Sequence, residues 1–139
     1  MKLFMTILLL CSCLHAAESN PAILHVYRDV EKLNAHIYKM PVYLDGEKIA
    51  ILPGERQGTL KIAPGAHTLS SKAPVTAFQR NDDLQINVES GQEYYVRGEI
   101  ITGMMKVHWR FVQISSEQGK LDVQRLKPMD PKLIIKRSE

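Results

Sequence analysis

Apolar and polar residues alternate most cleanly over 84–89. Leu84, Ile86 and Val88 fall on one face, and Gln85, Asn87 and Glu89 on the other. A period of two is the mark of a half-buried strand, because successive side chains leave opposite faces of the sheet. Residues 22–28 repeat it, with Ala22, Leu24 and Val26 opposed to Ile23, His25 and Tyr27. Two further runs, Val42 to Ile49 and Ile62 to Leu69, are each broken by a glycine turn, Asp45-Gly46 and Pro64-Gly65. Asp-Gly supplies the positive φ angles of a tight two-residue hairpin, and Pro-Gly suits a type II turn. The pattern therefore predicts a hairpin over 41–52, and a second in which 58–62 pairs through Pro64-Gly65 with 67–72.

Farther on, Tyr94, Val96 and Ile100 oppose Tyr95, Arg97 and Glu99, and Val107, Trp109 and Phe111 share one side of 106–114. A helix over 117–126 capped by Ser116 competes with an edge strand or irregular element there. Gly119 argues against the helix, at about 1 kcal/mol relative to Ala. Pro128 and Pro131 end regular structure, so 128–139 reads as a mobile tail. About seven to nine short strands with closely spaced turn signals predict an all-β, immunoglobulin-like antiparallel sandwich over 22–127.

At 139 residues the chain has room for one such domain. Apolar residues at 45% and charged residues at 24% are those of a globular protein, not a disordered one. The net charge of +3 is small, and its cations are scattered except for Lys132, Lys136 and Arg137. Nucleic-acid binding, which needs a basic stripe, is not expected.

The chain opens as an export signal. Lys2 precedes an apolar run from Leu3 to Leu14, too short for the roughly twenty residues of a membrane span. Ala16 and Ala17 then supply small residues before a polar break at Glu18-Ser19-Asn20. Two ends are open to this leader. Cleavage near Ala16 or Ala17 makes 1–17 a signal peptide. Alternatively Leu10-Cys11-Ser12-Cys13 resembles a bacterial lipobox, which makes 1–12 the signal and Cys13 the acylated residue. Both cysteines lie in this leader, so no intrachain disulfide is expected in the domain.

Four motifs then carry a resemblance. Tyr27-Arg28, Val42-Tyr43-Leu44-Asp45-Gly46-Glu47-Lys48-Ile49, Pro64-Gly65-Ala66-His67-Thr68-Leu69 and Gly91-Gln92-Glu93-Tyr94-Tyr95-Val96 occur in the order VYR, VYVDGKKIG, PGKHTL, GKTYYV. This resembles an uncharacterised bacterial envelope family known only as a domain of unknown function, and the likeness spans 22–126. The middle two motifs also resemble the PEGA domain, a small β-sandwich. The resemblance implies an exported or lipid-anchored sandwich and no catalytic residues. Residues 53–58 depart from the family's Gly-aromatic step at that place.

Candidate chemistry is sparse. His25, His36, His67 and His108 are spread over separate elements, and none is paired at ligand spacing, so no metal or other cofactor is expected. His67 follows the Pro64-Gly65 turn, where its ring is placed to bond a turn carbonyl. Asp45, Gly46, Pro64, Gly65 and His67 are accordingly read as structural turn residues. Asp82-Asp83 are adjacent and would face apart on a strand. Tyr94, Tyr95, Trp109 and Phe111 fit a core better than a carbohydrate-binding face. No nucleophile elbow or phosphate loop occurs. The expectation is a non-catalytic envelope domain binding a protein or a peptidoglycan component, touching the membrane only through a lipid anchor. A periplasmic small-ligand or metal-binding module is the alternative.

Overall fold

In the computed structural model, residues 20–29, 38–72, 82–102 and 107–135 are described. The leader, with Cys13, Ala16 and Ala17, lies outside them, as do His36 and 136–139. No described helix is long and apolar enough to cross a membrane.

The strands are β1 (Ala22–Tyr27), β2 (Met40–Leu44), β3 (Glu47–Leu52), β4 (Arg56–Ile62), β5 (Gly65–Ser70), β6 (Leu84–Val88), β7 (Glu93–Thr102) and β8 (Val107–Ile114). Helix α1 (Ser116–Arg125) and a two-residue strand β9 (Lys127–Pro128) follow, then one turn of 3₁₀ helix, Pro131–Leu133. They form two sheets, β8-β7-β1-β4-β9 and β3-β2-β5-β6. Most pairings are antiparallel; β1 with β7 and β4 with β9 are parallel. The inward faces meet in one core containing Leu24, Val42, Leu69, Ile86, Val96 and Trp109. This is an all-β sandwich, as the alternation predicts.

The hairpin of β2 and β3 turns at Asp45 and Gly46, whose φ angles of 51° and 83° are those a primed two-residue turn requires. A bulge between Val42 and Tyr43 breaks the alternation on β3, so that Ile49 and Ala50 are both buried.

The second expected hairpin is corrected. β4 pairs with β1, Ala22 opposite Ile62 through Tyr27 opposite Gln57. β5 instead pairs with β2 and β6. Pro64-Gly65 is therefore a corner that carries the chain from one sheet to the other, with Gly65 at φ 124°. Turn chemistry sets a local bend only. Which strands hydrogen-bond is decided by burial, and Leu60 and Ile62 face Leu69 across the core from the opposite sheet.

The segment after β8 is also corrected: it is a helix. Ser115, one residue before the expected cap, accepts from the Gln118 amide at 3.3 Å. Gly119 is buried against β7, and a Cβ there would overlap the Tyr95 ring. The residue that lowers helix propensity is the one that lets the helix lie close on the sheet.

The expected mobile tail is packed as far as Ile135. Met129 donates its amide to the Gln57 carbonyl at 2.7 Å and is only 5% exposed. Its thioether fills the place a Cβ on Gly58 would take. Ile134 bridges to Ala50, and the Ile135 amide donates to the Ile49 carbonyl at 2.8 Å. Proline removes a donor but is tolerated at the first position of a helical turn. Asp130 caps that turn, accepting from the Lys132 amide at 2.9 Å. The segment from Lys127 to Ile135 thereby covers the edges of β4 and β3.

Candidate functional site: a histidine clasp and two unlike sheet faces

The turn residues singled out in the sequence converge at one end of the sandwich. The His67 ring, 9% exposed, places Nδ1 2.6 Å from Asp45 Oδ2 and Nε2 2.6 Å from the Ala63 carbonyl oxygen. Asp45 Oδ1 accepts from the Thr68 amide at 2.9 Å, and the Asp45 amide donates to the Thr68 carbonyl at 2.9 Å. Both ring partners are acceptors, so both nitrogens donate together only in the imidazolium form. One side chain thus ties the hairpin turn at Asp45-Gly46, strand β5 and the corner before Pro64-Gly65. The carbonyl contact of His67 is where the sequence reading put it. The Asp45 contact had no signal in the linear spacing, since 22 residues separate the pair.

The outer face of the five-stranded sheet is occupied by α1 and internal ion pairs. Asp122, 2% exposed, accepts from the Tyr27 hydroxyl at 2.7 Å, Gln118 Nε2 at 2.8 Å and Arg125 Nη2 at 2.7 Å. Burial alone would raise its carboxyl, but the Tyr27, Gln118 and Arg125 donors outweigh burial and hold it below the usual range. Burial, and then the bond to Asp122, push the Tyr27 phenol up. Arg125 also reaches Asp29 at 3.3 Å. Nearby, Glu99 takes Arg97 at 2.7 Å and Arg110 at 2.9 Å. Its carboxyl is lowered because these two guanidiniums overcome the upward push of burial.

On the same face His25 stacks on Tyr95, centroids 4.6 Å apart and planes 12° from parallel. Its Nδ1 is 3.2 Å from Thr59 Oγ1. Its Nε2 is buried without a hydrogen bond, 3.8 Å from Glu93 Oε2. Burial lowers the His25 ring below its ordinary value, and Glu93 recovers only part of that. The row Thr59–His25–Glu93 has the residue types of a nucleophile–base–acid set. It lacks the short base–acid contact, and its Nε2 is shut from solvent.

The outer face of the four-stranded sheet differs. Register puts Lys48 and Ser70 opposite Tyr43, Gln85 opposite Thr68, and Asn87 opposite Ala66. These side chains are partly or fully exposed. Lys72 Nζ sits 4.9 Å from the Tyr43 ring centroid. Thr68 Oγ1 donates to Gln85 Oε1 at 3.0 Å.

Of the remaining candidates, Tyr95, Trp109 and Phe111 are buried, and Tyr94 packs against the core with its hydroxyl accepting from the Glu89 amide. Asp82 approaches His108 at 4.0 Å and bridges to Arg110. His25, His67 and His108 stand on three strands that do not pair with one another, β1, β5 and β8. Among the described residues no three metal-ligating side chains converge.

Sheets, corner and clasp together define a small β-sandwich domain with one helix laid on one sheet. The chain matches the family described as Protein of unknown function (DUF2846) over residues 18–109, and belongs to that family. No curated protein and no solved structure matches it.

Proposed function

We propose that this chain is an exported, non-catalytic domain of the bacterial cell envelope that binds a protein or a surface component. The observation that carries the non-catalytic reading is the use made of the closest histidine–carboxylate pair among the described residues. His67 Nε2 is bonded to the Ala63 carbonyl, and Asp45 Oδ1 to the Thr68 amide. A general base needs a nitrogen free to take a substrate proton. Both nitrogens of this ring are committed to closing the fold. The apolar run after Lys2 supports export, with the leader ending near Ala17 or at an acylated Cys13. The order of the Asp-Gly and Pro-Gly-x-His motifs supports a PEGA-like relation.

A fusion of residues 1–135 to a phosphatase active only outside the cytoplasm tests export, and activity is expected. Good expression without activity would reject it. Affinity capture from crosslinked envelopes tests binding, with a reproducible envelope partner expected. A purified chain that instead turns over an ester or glycoside substrate, and loses that turnover on His67→Asn, would reject the non-catalytic reading.

A further inference from the structure

On the reading that this is a binding module, we infer that its ligand is an anionic glycan docking on the outer face of the four-stranded sheet, across Tyr43, Lys48 and Lys72. The two sheet faces distribute charge differently. On the five-stranded sheet, Arg97 and Arg110 are held by Glu99, and Arg125 above them by Asp122 and Asp29. On the four-stranded sheet, none of the outward paired positions is a carboxylate; Glu47 falls opposite inward-facing Leu44, and exposed Glu89 lies just past the last paired residue of β6. Lys48 and Lys72 make no ion pair among the described residues. The attraction of these cations is therefore left for an anion from outside the chain.

The cations are also placed. Lys72 is held over the Tyr43 ring at 4.9 Å, and Lys48 lies directly across from Tyr43 on the paired strand. Directly opposed residues have Cβ atoms about 5 Å apart, so Lys48 stands beside the residue whose ring Lys72 covers. Beside them, Ser70, Thr68 and Gln85 present hydroxyl and amide groups suited to sugar hydroxyls. A lipid surface would call for a larger basic cluster, about four to eight cations, or for exposed apolar anchors. The exposed large apolar side chains, Tyr38, Ile101, Leu121 and Ile135, are not among this face's outward paired positions. An acidic polymer with hydroxyls to bond fits better than a bilayer.

The test titrates the full chain with oligogalacturonate, against dextran, polyglutamate and phosphatidylglycerol vesicles, following backbone amides by nuclear magnetic resonance. Oligogalacturonate should move the amides of Tyr43, Lys48, Thr68 and Ser70, and less so at higher salt. Lys48→Gln and Lys72→Gln should each weaken binding roughly two- to fivefold, the range for exposed charge contacts. Lys61→Gln, on the other sheet, should leave it unchanged. No binding of oligogalacturonate, equal binding of polyglutamate or vesicles, or an equal effect of Lys61→Gln would overturn the inference. If an envelope partner is still captured while oligogalacturonate fails, the ligand class falls and the binding-module reading stands.

Discussion

His67 and Asp45, 22 residues apart in sequence, meet at 2.6 Å and join the β2–β3 turn to β5. A charge-assisted hydrogen bond to a ring only 9% exposed is a stronger tie than an ordinary turn contact. Asp45 is 40% exposed, which keeps the gain toward the lower end of the range. In a double-mutant cycle of His67→Asn and Asp45→Asn, the two should couple by about 1–2 kcal/mol. Additive denaturation midpoints would mean that the clasp contributes no pairwise stability.

Gly119→Ala gives a prediction whose sign separates two accounts of the helix. On an exposed helix it would stabilise by about 1 kcal/mol. Against the Tyr95 ring it should destabilise by about 1–3 kcal/mol, because a methyl is forced into a filled space. Thermal melting decides, and a raised melting temperature would show that α1 does not pack as described.

Ile86 is 4% exposed in the middle of β6, with exposed Gln85 beside it. Ile86→Ala should cost roughly 2–5 kcal/mol, since it leaves a cavity as well as losing burial. Gln85→Ala should cost under about 1 kcal/mol, although it frees the Thr68 hydroxyl. Equal losses in urea titration would mean that the strand's faces are misassigned.

His25 sets an acid limb of stability. Its folded-state value lies below the ordinary 6.5 because burial disfavours the charged ring. The unfolded chain therefore binds the proton first. The His25 contribution is whole above 6.5 and is lost as pH falls through the lower folded value. Asp122 and Glu99, also lowered, act in the same direction at more acidic pH, below their ordinary 3.8 and 4.5. His25→Phe, which keeps a ring on Tyr95, should flatten stability just below 6.5 and leave the steeper acid loss in place. An unchanged slope in that upper window would remove His25 as its cause.

What the sequence made legible was local. Alternation over 84–88 and 22–27, and the Asp45-Gly46 turn, are set by residues within a few positions of one another. Their burial follows the pattern closely. Beyond the β2–β3 hairpin, strand partners were not legible: Pro64-Gly65 bends the chain equally well into a hairpin or a sheet-to-sheet corner, and only the two-sheet core selects the corner. Helix α1 was obscured because Gly119 is unfavourable in isolation and favoured only where Tyr95 comes close. The order of 128–135 was obscured by its prolines, which remove ladder donors but allow the short β9 pairing and the seat of Met129 beside Gly58. The clasp was half legible. A histidine after Pro-Gly pointed to its carbonyl bond, and nothing in the spacing pointed to Asp45.

β1 stands at the centre of its sheet, between β4 and β7, although it is the first strand among the described residues. Antiparallel pairs β2–β3 and β7–β8 join strands adjacent in sequence and can assemble early, whereas Ile23 finds its parallel neighbour Glu93 only after the intervening strands have been made. Pairings of such long sequence separation are slow to form. During synthesis β1 therefore waits with one edge bare until the β7 segment arrives. Completion of the β7 segment is the step that ends its exposure to aggregation and proteolysis.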